Sequence, residues 1–277
     1  MKSCILVRYD EIGLKGANRG RFEDLLVNNI RLAFRADGLS VGPIERRYGR
    51  IIVSLKKGIS SLKRIFGISS CSPALETVPD IESMANAALH LCELNDRVSF
   101  RVSCQRLDKT MSLTSRDVEH QLGAELVSRT NAEVDLTEFD FEVGVELINN
   151  KAYVFVERTE CFGGLPVGSE GTVLALIDNS ASLLAALLML QRGCNVIPVS
   201  FSEIQHPVLA KYGALAPRLM KEGEIDFIAR DANAKAVVVG QLIDNVSDVK
   251  TSLVILRPLV GLSEKQVNEK LNEFLSA

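Results

Sequence analysis

Near its start the chain reads Cys4-Ile-Leu-Val-Arg-Tyr-Asp-Glu-Ile-Gly-Leu-Lys-Gly-Ala-Asn-Arg19. The apolar first part of this segment predicts a β-strand, and its second part predicts a basic loop. Three apolar residues, Phe22, Leu26 and Ile30, then recur every four positions, which predicts a helix that ends near Gly38. A strand that leads through a loop into a helix indicates a small α+β unit.

Further strands and helices are predicted up to residue 157. The predicted strands are Arg50–Leu55, Val98–Ser103, Phe141–Ile148 and Lys151–Glu157, and the predicted helices are Ile59–Phe66, Ile81–Leu94 and Arg116–Ser128. Gly67–Pro73 is rich in turn-forming residues and predicts a turn. Asn149 and Asn150 separate the last two strands and predict a tight hairpin, because asparagine tolerates the left-handed conformation.

From residue 172 the apolar runs become continuous instead of alternating. The predicted strands there are Thr172–Ile177, Asn195–Phe201, Ala234–Val239 and Ser252–Leu256. Continuous apolar strands separated by helical stretches are typical of a parallel sheet that helices cover on both faces. Leu183–Leu190 predicts one such helix, and the capping box Ser263-Glu-Lys-Gln266 predicts the start of the last helix.

Length and composition exclude several classes of protein. With 277 residues the chain is long enough for two or three domains of about 100–200 residues each. Its 47% apolar and 24% charged residues exclude a disordered or collagen-like chain. No apolar stretch reaches the ~18 residues of a membrane span, and no leader pattern follows Met1. We therefore expect a cytoplasmic protein without a membrane partner.

The cysteines and histidines do not indicate a metal site. The six cysteines are Cys4, Cys71, Cys92, Cys104, Cys161 and Cys194, and the histidines are His90, His120 and His206. They form neither a C-x-x-C pair nor a cluster at zinc spacing, so no metal ligand is predicted. We expect reduced and mostly buried thiols, with Cys161 and Cys194 left open as catalytic thiols.

Charge is distributed unevenly along the chain. Residues 1–75 contain 14 Lys and Arg against 6 Asp and Glu, a net charge of +8. The remaining residues contain 18 Lys and Arg against 29 Asp and Glu, a net charge of −11. A basic segment on an acidic chain is typical of a surface that binds nucleic acid, and a solvated charged surface gives the same pattern.

Four motifs together resemble one known family. They are Arg8-Tyr-Asp-Glu-Ile-Gly-Leu-Lys-Gly-Ala-Asn-Arg19, Phe100-Arg-Val-Ser-Cys-Gln-Arg-Leu-Asp-Lys109, Gly163-Gly-Leu-Pro-Val-Gly168 and Leu256-Arg-Pro-Leu-Val-Gly261. The first is very similar to the opening motif R-Y-x-E-I-x-L-K-G-x-N-R of the ThiI family, the tRNA 4-thiouridine synthetases that also act in thiamine biosynthesis. The second resembles the central part of a THUMP domain, which is an RNA-binding module. The third and fourth resemble the entry into, and the end of, the family's nucleotide domain.

The resemblance implies a mixed α/β fold of three domains. These are a ferredoxin-like domain at residues 1–73, a THUMP domain at 74–166 and a truncated, doubly wound parallel-sheet domain of the PP-loop ATP-pyrophosphatase type at 167–277. It also implies tRNA as a partner and a homodimer. Family enzymes adenylate a tRNA uridine with ATP and then deliver sulfur to it, so the nucleotide loop decides whether this chain is an enzyme.

The nucleotide loop departs from the family pattern S-G-G-x-D-S. The matching residues are Ile177, Asp178, Asn179, Ser180, Ala181 and Ser182. Both glycines, which let backbone N–H groups approach phosphates at a helix N-terminus, are replaced. Asp178 adds a carboxylate that, about 4 Å from a phosphate charge and at an effective dielectric near 20, would oppose binding by up to ~4 kcal/mol. A late family motif is also contracted, to residues 240–247. We therefore predict no catalytic residue and no cofactor, with ATP and Mg²⁺ bound only by an active enzyme.

The candidate RNA-binding residues lie in the first two motifs. They are Lys15, Asn18, Arg19, Arg21, Arg101, Arg106 and Lys109. Arg and Lys side chains are the usual partners of RNA phosphates, although a solvated loop is the alternative. For Arg46, Arg47, Tyr48 and Arg50 we prefer a solvated surface to an RNA contact. Asp10 and Glu11 are interpreted as residues that orient neighbouring cations.

Three functional hypotheses follow from the sequence. The leading one is a tRNA-binding protein of the ThiI type that lacks ATP-pyrophosphatase and sulfurtransferase activity and serves as an adaptor or scaffold, with a tRNA-modification protein as a further partner. The first alternative is an active ATP-dependent tRNA sulfurtransferase, which predicts ATP binding. The second is a protein-interaction subunit, which predicts no salt-sensitive affinity for RNA.

Overall fold

The computed structural model of the chain describes residues 1–55, 58–107, 113–202 and 207–276. The contacts within it divide the chain into two units. The first unit contains Met1–Tyr9, Ala33–Leu62 and Ser69–Glu160, and the second contains Asp10–Leu32, Lys63–Ile68 and Cys161–Ala277. The division into three domains at residues 73 and 166 stays a prediction.

The first unit is built on a nine-stranded sheet with the order β2-β3-β1-β4-β8-β7-β5-β6, in which β9 also pairs with β4. The strands are β1 (Lys2–Arg8), β2 (Ile44–Arg47), β3 (Arg50–Val53), β4 (Ser70–Thr77), β5 (Ser99–Arg106), β6 (Glu133–Val134), β7 (Phe141–Ile148), β8 (Lys151–Phe155) and β9 (Thr159–Glu160). The helices between them are α1 (Arg19–Ala36), α2 (Ile59–Lys63), α3 (Ile81–Leu91) and α4 (Ser115–Thr130). Residues 19–32 of α1 belong to the second unit.

Local signals fix several of these elements as predicted. Asn149 and Asn150 have φ values of 50° and 58°, which confirms the tight turn between β7 and β8. Thr114 caps α4, because its hydroxyl accepts from the N–H of Asp117 while the Asp117 carboxylate accepts from the N–H of Thr114. The predicted strands and helices up to residue 157 are present, with shifted ends.

The turn predicted at Gly67–Pro73 is present at Gly67 but wrong from Ser70 onward, because β4 begins at Ser70 and passes through Pro73. On one side β4 pairs with β1, with Pro73 opposite Ile5. On its other side β9 pairs with residues 70–71 and β8 with residues 75–77, so Pro73 lies in a gap between two partner strands. A residue without a backbone N–H is tolerated where no ladder hydrogen bond is required.

The two faces of this sheet are buried in different ways. Helices α3 and α4 cover one face, where Met84, Phe100, Leu122 and Val143 belong to one apolar core. Side chains alternate between faces along a strand, so Cys4, Leu6, Ile52, Ala74 and Tyr153 form a second apolar cluster on the opposite face.

A buried network of charged residues crosses this opposite face. Arg8 Nε lies 2.6 Å from Glu146 Oε1, and Arg50 Nε lies 2.5 Å from Glu146 Oε2. The Arg8 and Glu146 side chains are 4% and 3% exposed. Arg8 also donates to Ser72 Oγ at 2.9 Å, and its guanidinium lies 4.6 Å from the centre of the Phe155 ring. Since β4 and β8 lie between β1 and β7, Glu146 on β7 is joined to Arg8 and Arg50 on the paired strands β1 and β3 without a direct strand pairing.

The second unit contains a five-stranded parallel sheet with the order β12-β11-β10-β13-β14. The strands are β10 (Thr172–Leu176), β11 (Asn195–Ser200), β12 (Arg218–Leu219), β13 (Ala236–Val238) and β14 (Val254–Leu256), and the helices are α5 (Ser180–Gln191), α6 (Pro207–Lys211), α7 (Ile225–Asp231) and α8 (Glu264–Leu275). The four predicted strands are confirmed, and β12 is a short edge strand that the sequence did not predict.

Both faces of the parallel sheet are covered, as the continuous apolar runs predict. On one face, Leu184 and Leu187 of α5 and Leu271 of α8 share a core with Val173 and Val196. On the other face, strand residues such as Leu174 and Ile197 pack with Ile228 of α7. Helix α8 begins with the predicted capping box between Ser263 and Gln266. The mixed α/β fold with a parallel sheet is therefore confirmed.

Among the described residues, no helix combines the length and the apolar character needed to cross a membrane.

We expect Glu146→Gln to destabilise the chain by about 3–5 kcal/mol, because it leaves two guanidinium groups in the buried network without a counter-charge. Urea unfolding followed by circular dichroism measures this change. The control is Glu142→Gln, since Glu142 forms an ion pair with Arg101 but its side chain is 38% exposed, and a surface pair contributes about 1 kcal/mol or less. Equal effects of the two substitutions would contradict the structural role of Glu146.

Candidate nucleic-acid interface and nucleotide loop

The basic loop before α1 folds as two short 3₁₀ turns, Glu11–Leu14 and Gly16–Asn18. Ile12 is fully buried and anchors the first turn, and Gly16 has a φ of 52°, which favours glycine. The loop therefore has a defined backbone conformation, which sets the positions from which its polar side chains extend.

The predicted RNA-binding residues of this loop differ in what they contact. Lys15 Nζ lies 3.4 Å from Glu170 Oε1 and 4.7 Å from the centre of the Phe22 ring. Arg19 Nε lies 2.8 Å from Glu23 Oε1. Within the described part of the chain, Arg21 is exposed and its side chain makes no ion pair or hydrogen bond. Lys15 lies in the loop, whereas Arg19 and Arg21 lie in the first turn of α1. Of these three cations, Arg21 is the one whose charge has no partner among the described residues.

Glu11 behaves as the sequence suggested. Its Oε1 atom lies 3.5 Å from Arg192 Nη1, so this carboxylate faces a cation rather than a second catalytic carboxylate. Asn18, the remaining predicted residue of the loop, is exposed at the end of the second 3₁₀ turn.

The predicted residues on β5 point to opposite faces of the sheet, because Arg101 and Arg106 are five positions apart. The Arg101 guanidinium donates to Glu142 Oε1 at 2.9 Å and lies 4.2 Å from the centre of the Phe139 ring. Arg106 donates to the carbonyl oxygen of Leu113 at 2.9 Å. Lys109 lies outside the described residues. The assignment of these residues to RNA binding stays a prediction.

Arg50 is not the solvated cation that the sequence suggested. Its side chain is 11% exposed, and besides binding Glu146 it donates to Gln105 Oε1 and to the Gly49 carbonyl oxygen, both at 2.8 Å. Tyr48 is 63% exposed, and Arg47 forms an ion pair with Glu45. The sequence missed the role of Arg50 because its partner Glu146 lies 96 positions away.

The degenerate nucleotide loop lies between β10 and α5, where side chains cap the helix. Asn179 Oδ1 accepts from the Ser182 N–H at 2.9 Å, and Ser182 Oγ accepts from the N–H groups of Asp178 and Asn179 at 2.9 and 3.0 Å. Three backbone donors at this end of the helix therefore have acceptors within the loop. Capping of this kind satisfies N–H groups that would otherwise bind an anion.

The backbone after β13 packs closely against this capped helix end. A Cβ atom on Gly240 would lie 2.2 Å from the backbone nitrogen of Ser182 and 2.6 Å from the carbonyl carbon of Ala181. Ile177 and Ser182 are buried, whereas Asp178 is exposed. Because solvent screens an exposed carboxylate, its repulsion of a phosphate is smaller than the sequence-based figure.

The segment that follows Gly240 is held by a residue of the fourth motif. Arg257 Nε donates to Gln241 Oε1 at 2.8 Å, and Arg257 Nη2 donates to the Ser247 carbonyl oxygen at 3.1 Å. Gln241 Nε2 in turn donates to Ser247 Oγ at 2.8 Å. These residues follow the carboxyl ends of β13 and β14, the edge at which open parallel sheets bind their ligands.

Burial makes most of the cysteines poor nucleophiles. It raises the pKa of the Cys4 thiol to about 12 and that of Cys104 to about 11, and it also raises the pKa values of Cys92 and Cys194. Since the thiolate is the reactive form, these four side chains do not suit sulfur transfer. The described residues contain no group of three or more His, Cys, Asp or Glu side chains placed to hold a metal ion.

Two domain families match successive parts of the chain. Residues 4–72 match the ThiI ferredoxin-like domain, and residues 76–157 match the THUMP domain. The chain is therefore of the class of proteins that join these two domains.

Relatives that align along nearly the whole chain identify its family. A "Probable tRNA sulfurtransferase" of Thermococcus kodakarensis is 32% identical over 96% of this chain and 86% of that protein. One of the same name from Brevibacillus brevis is 31% identical over 95% of this chain and 80% of that protein. The chain belongs to the ThiI family of tRNA sulfurtransferases, which confirms the resemblance seen in its motifs.

Two solved structures share the fold along nearly the whole chain. PH1313 from Pyrococcus horikoshii is 29% identical, with a TM-score of 0.86, and the match covers 99% of this chain and 100% of that one. A 4-thiouridine synthetase, solved as an RNA complex with bound ATP, is 26% identical with a TM-score of 0.78, and the match covers 99% of this chain and 85% of that one.

We expect Gly240→Ala to destabilise the chain by about 1–3 kcal/mol, because the added Cβ meets the backbone of α5 and cannot be accommodated by a side-chain movement. Thermal unfolding measures the effect. Gly261→Ala is the matched control, since nothing lies within 4 Å of a Cβ at that position. If both variants unfold at the same temperature as the unmodified protein, the result would contradict the close contact between Gly240 and Ser182.

Proposed function

We propose that this chain binds tRNA and acts in tRNA modification as an RNA-binding adaptor or scaffold, without adenylating or thiolating the RNA. RNA binding is supported by the match of residues 76–157 to a THUMP domain and by the similarity to a synthetase solved with RNA. The family names of the relatives support tRNA modification as the process.

The observation that carries the non-catalytic part of the proposal is the capped start of α5. In the family pattern, glycines leave backbone N–H groups free for phosphates, whereas here Asn179 and Ser182 side chains accept from three of these groups. Gly240 packs against the same helix end. The loop of this chain therefore does not offer ATP the free backbone donors of the family pattern.

This chain lacks segments that the Thermococcus protein has. The alignment with the Thermococcus protein has 328 positions, and 96% of this 277-residue chain fills about 266 of them, which leaves about 62 positions without a residue of this chain. PH1313 matches along its full length, whereas the ATP-bound synthetase extends beyond the match. Between β11 and β13 only residues 201–235 are present to form the elements found there.

An active tRNA sulfurtransferase is the second candidate, and the names of the curated relatives favour it. This candidate requires ATP to bind at a loop whose backbone N–H groups already donate to side chains of the same loop. It also requires a reactive thiol, whereas burial raises the pKa of the Cys194 thiol. The two candidates differ in one measurable property, which is the affinity for ATP.

We expect no ATP binding at about 1 mM ATP with Mg²⁺, the upper end of the usual range for enzyme substrates. Isothermal titration calorimetry of the full chain measures binding, and ATP–pyrophosphate exchange measures catalysis. Exchange that appears only when Asp178→Gly and Ala181→Asp are combined would support the loss of the family loop as the cause. Micromolar ATP binding by the unmodified chain would contradict the proposal and establish the enzyme candidate.

We expect Arg21→Ala to weaken tRNA binding about tenfold at low salt, because this exposed guanidinium has no internal partner among the described residues and is available to a phosphate. The slope of log K against log salt should become shallower by about 0.7–0.9. Lys265→Ala is the control, since Lys265 is an 86% exposed cation on α8. An equal response of the two variants would reject Arg21 as an RNA contact, and salt-independent or absent tRNA binding by the unmodified chain would reject RNA binding itself.

A further inference from the structure

Two buried polar groups beside the Arg8–Glu146–Arg50 network have no hydrogen-bond partner among the described residues. They are the Nη2 atom of Arg8 and the hydroxyl of Ser70. Arg8 is 4% exposed and Ser70 is fully buried. Buried polar groups in folded proteins almost always have partners, so two unpartnered donors in one place indicate a bound water or ion.

The two groups border the same point of the sheet. Arg8 and Ser70 are directly opposite each other in the antiparallel pair of β1 and β4, and residues so paired place their side chains on the same face, with Cβ atoms about 4.5–5.5 Å apart. Ser72, two positions along β4 on that face, already accepts from Arg8 Nη1. The Arg8 and Ser70 side chains therefore extend from facing positions on the same face of the sheet.

The net charge of the Arg8–Glu146–Arg50 network favours an anion over a water molecule as the ligand. Arg8 and Arg50 share the one carboxylate of Glu146, which leaves the buried network with a net charge of +1. Burial, followed by the charges of Arg158 and Arg50, lowers the pKa of Arg8, whereas Glu146 raises it. A water molecule would satisfy the unpartnered donors but not this excess charge, and an uncompensated buried charge is costly.

A neighbouring carboxylate of the chain does not fill this position. Glu160 lies opposite Ser70 in the pairing of β9 with β4. However, the Glu160 side chain is 72% exposed and accepts from Arg158 at 2.9 Å. The Glu160 carboxylate therefore pairs with Arg158 and does not neutralise the Arg8 guanidinium.

We propose that Arg8 Nη2 and the Ser70 hydroxyl bind a small monovalent inorganic anion such as chloride, which completes the charge balance of the buried network. The Phe155 ring lies over the Arg8 guanidinium, and both Arg8 and Ser70 are buried, which favours a small ion over a larger ligand. This anion site includes none of the candidate RNA-binding residues and no residue of the nucleotide loop. It makes the stability of the first unit depend on the kind of anion present.

Crystals of the full chain soaked in sodium bromide test the location of the ion. Bromide replaces chloride and scatters anomalously, so we expect an anomalous peak in contact with both Arg8 Nη2 and Ser70 Oγ. Density without an anomalous signal would identify a water molecule and overturn the proposal. An empty site, or the Glu160 carboxylate turned into it, would also overturn the proposal.

Thermal unfolding in solution tests whether the ion is bound outside a crystal. At equal ionic strength we expect a Tm about 2–4 °C higher in sodium chloride than in sodium gluconate, whose anion is too large for the site. Ser70→Ala should abolish this difference. Ser169→Ala is the matched control, because its hydroxyl is also buried and without a partner among the described residues but lies in the second unit, and it should keep the difference. The same dependence on anion in both variants would overturn the proposal.

Discussion

The sheet of the first unit depends on one carboxylate, Glu146, which lies buried between Arg8 and Arg50. Each oxygen of this carboxylate accepts from a different guanidinium, so Glu146 on β7 is joined to Arg8 and Arg50 on the paired strands β1 and β3, which do not pair with β7. A buried charge of this kind is stable only while all of its partners are present. The network thus joins residues of the ThiI ferredoxin-like match to residues of the THUMP match, because Arg8 and Arg50 belong to the first and Glu146 to the second.

In the second unit, packing and ligand chemistry make separate demands on the sequence. The parallel sheet requires apolar residues such as Leu174 and Val196 on both of its faces, and these are retained. Nucleotide binding would require a loop whose backbone donors face outward, and the residues Asp178–Ser182 instead direct polar side chains back onto the helix end. Most of the buried side chains that hold the sheet and its helices together lie outside the loop, so packing and nucleotide chemistry place separate requirements on the sequence. This independence is what the proposed adaptor function requires.

For the candidate RNA-binding residues, the motif predicted the positions of the cations in the chain but not their contacts in the fold. The motif identified the family and placed Lys15 in the loop before α1 and Arg19 and Arg21 in the first turn of α1, close together in the chain. It did not separate cations that are engaged within the chain from those that are free. Arg101 is held by Glu142 and Phe139, and only the folded chain brings these partners together, since Glu142 lies 41 positions away.

The sequence by itself determined the elements that depend on neighbours in the chain. Capping boxes, the Asn149–Asn150 turn and the apolar periods of strands and helices act within a few residues, so they can be recognised without the fold. The tertiary structure alone decided that Pro73 lies within a strand, that Gly240 contacts Ser182 and that Arg8 and Glu146, 138 positions apart, form a buried ion pair. Each of these depends on which distant segments become adjacent, and the local pattern of side chains contains no information about that.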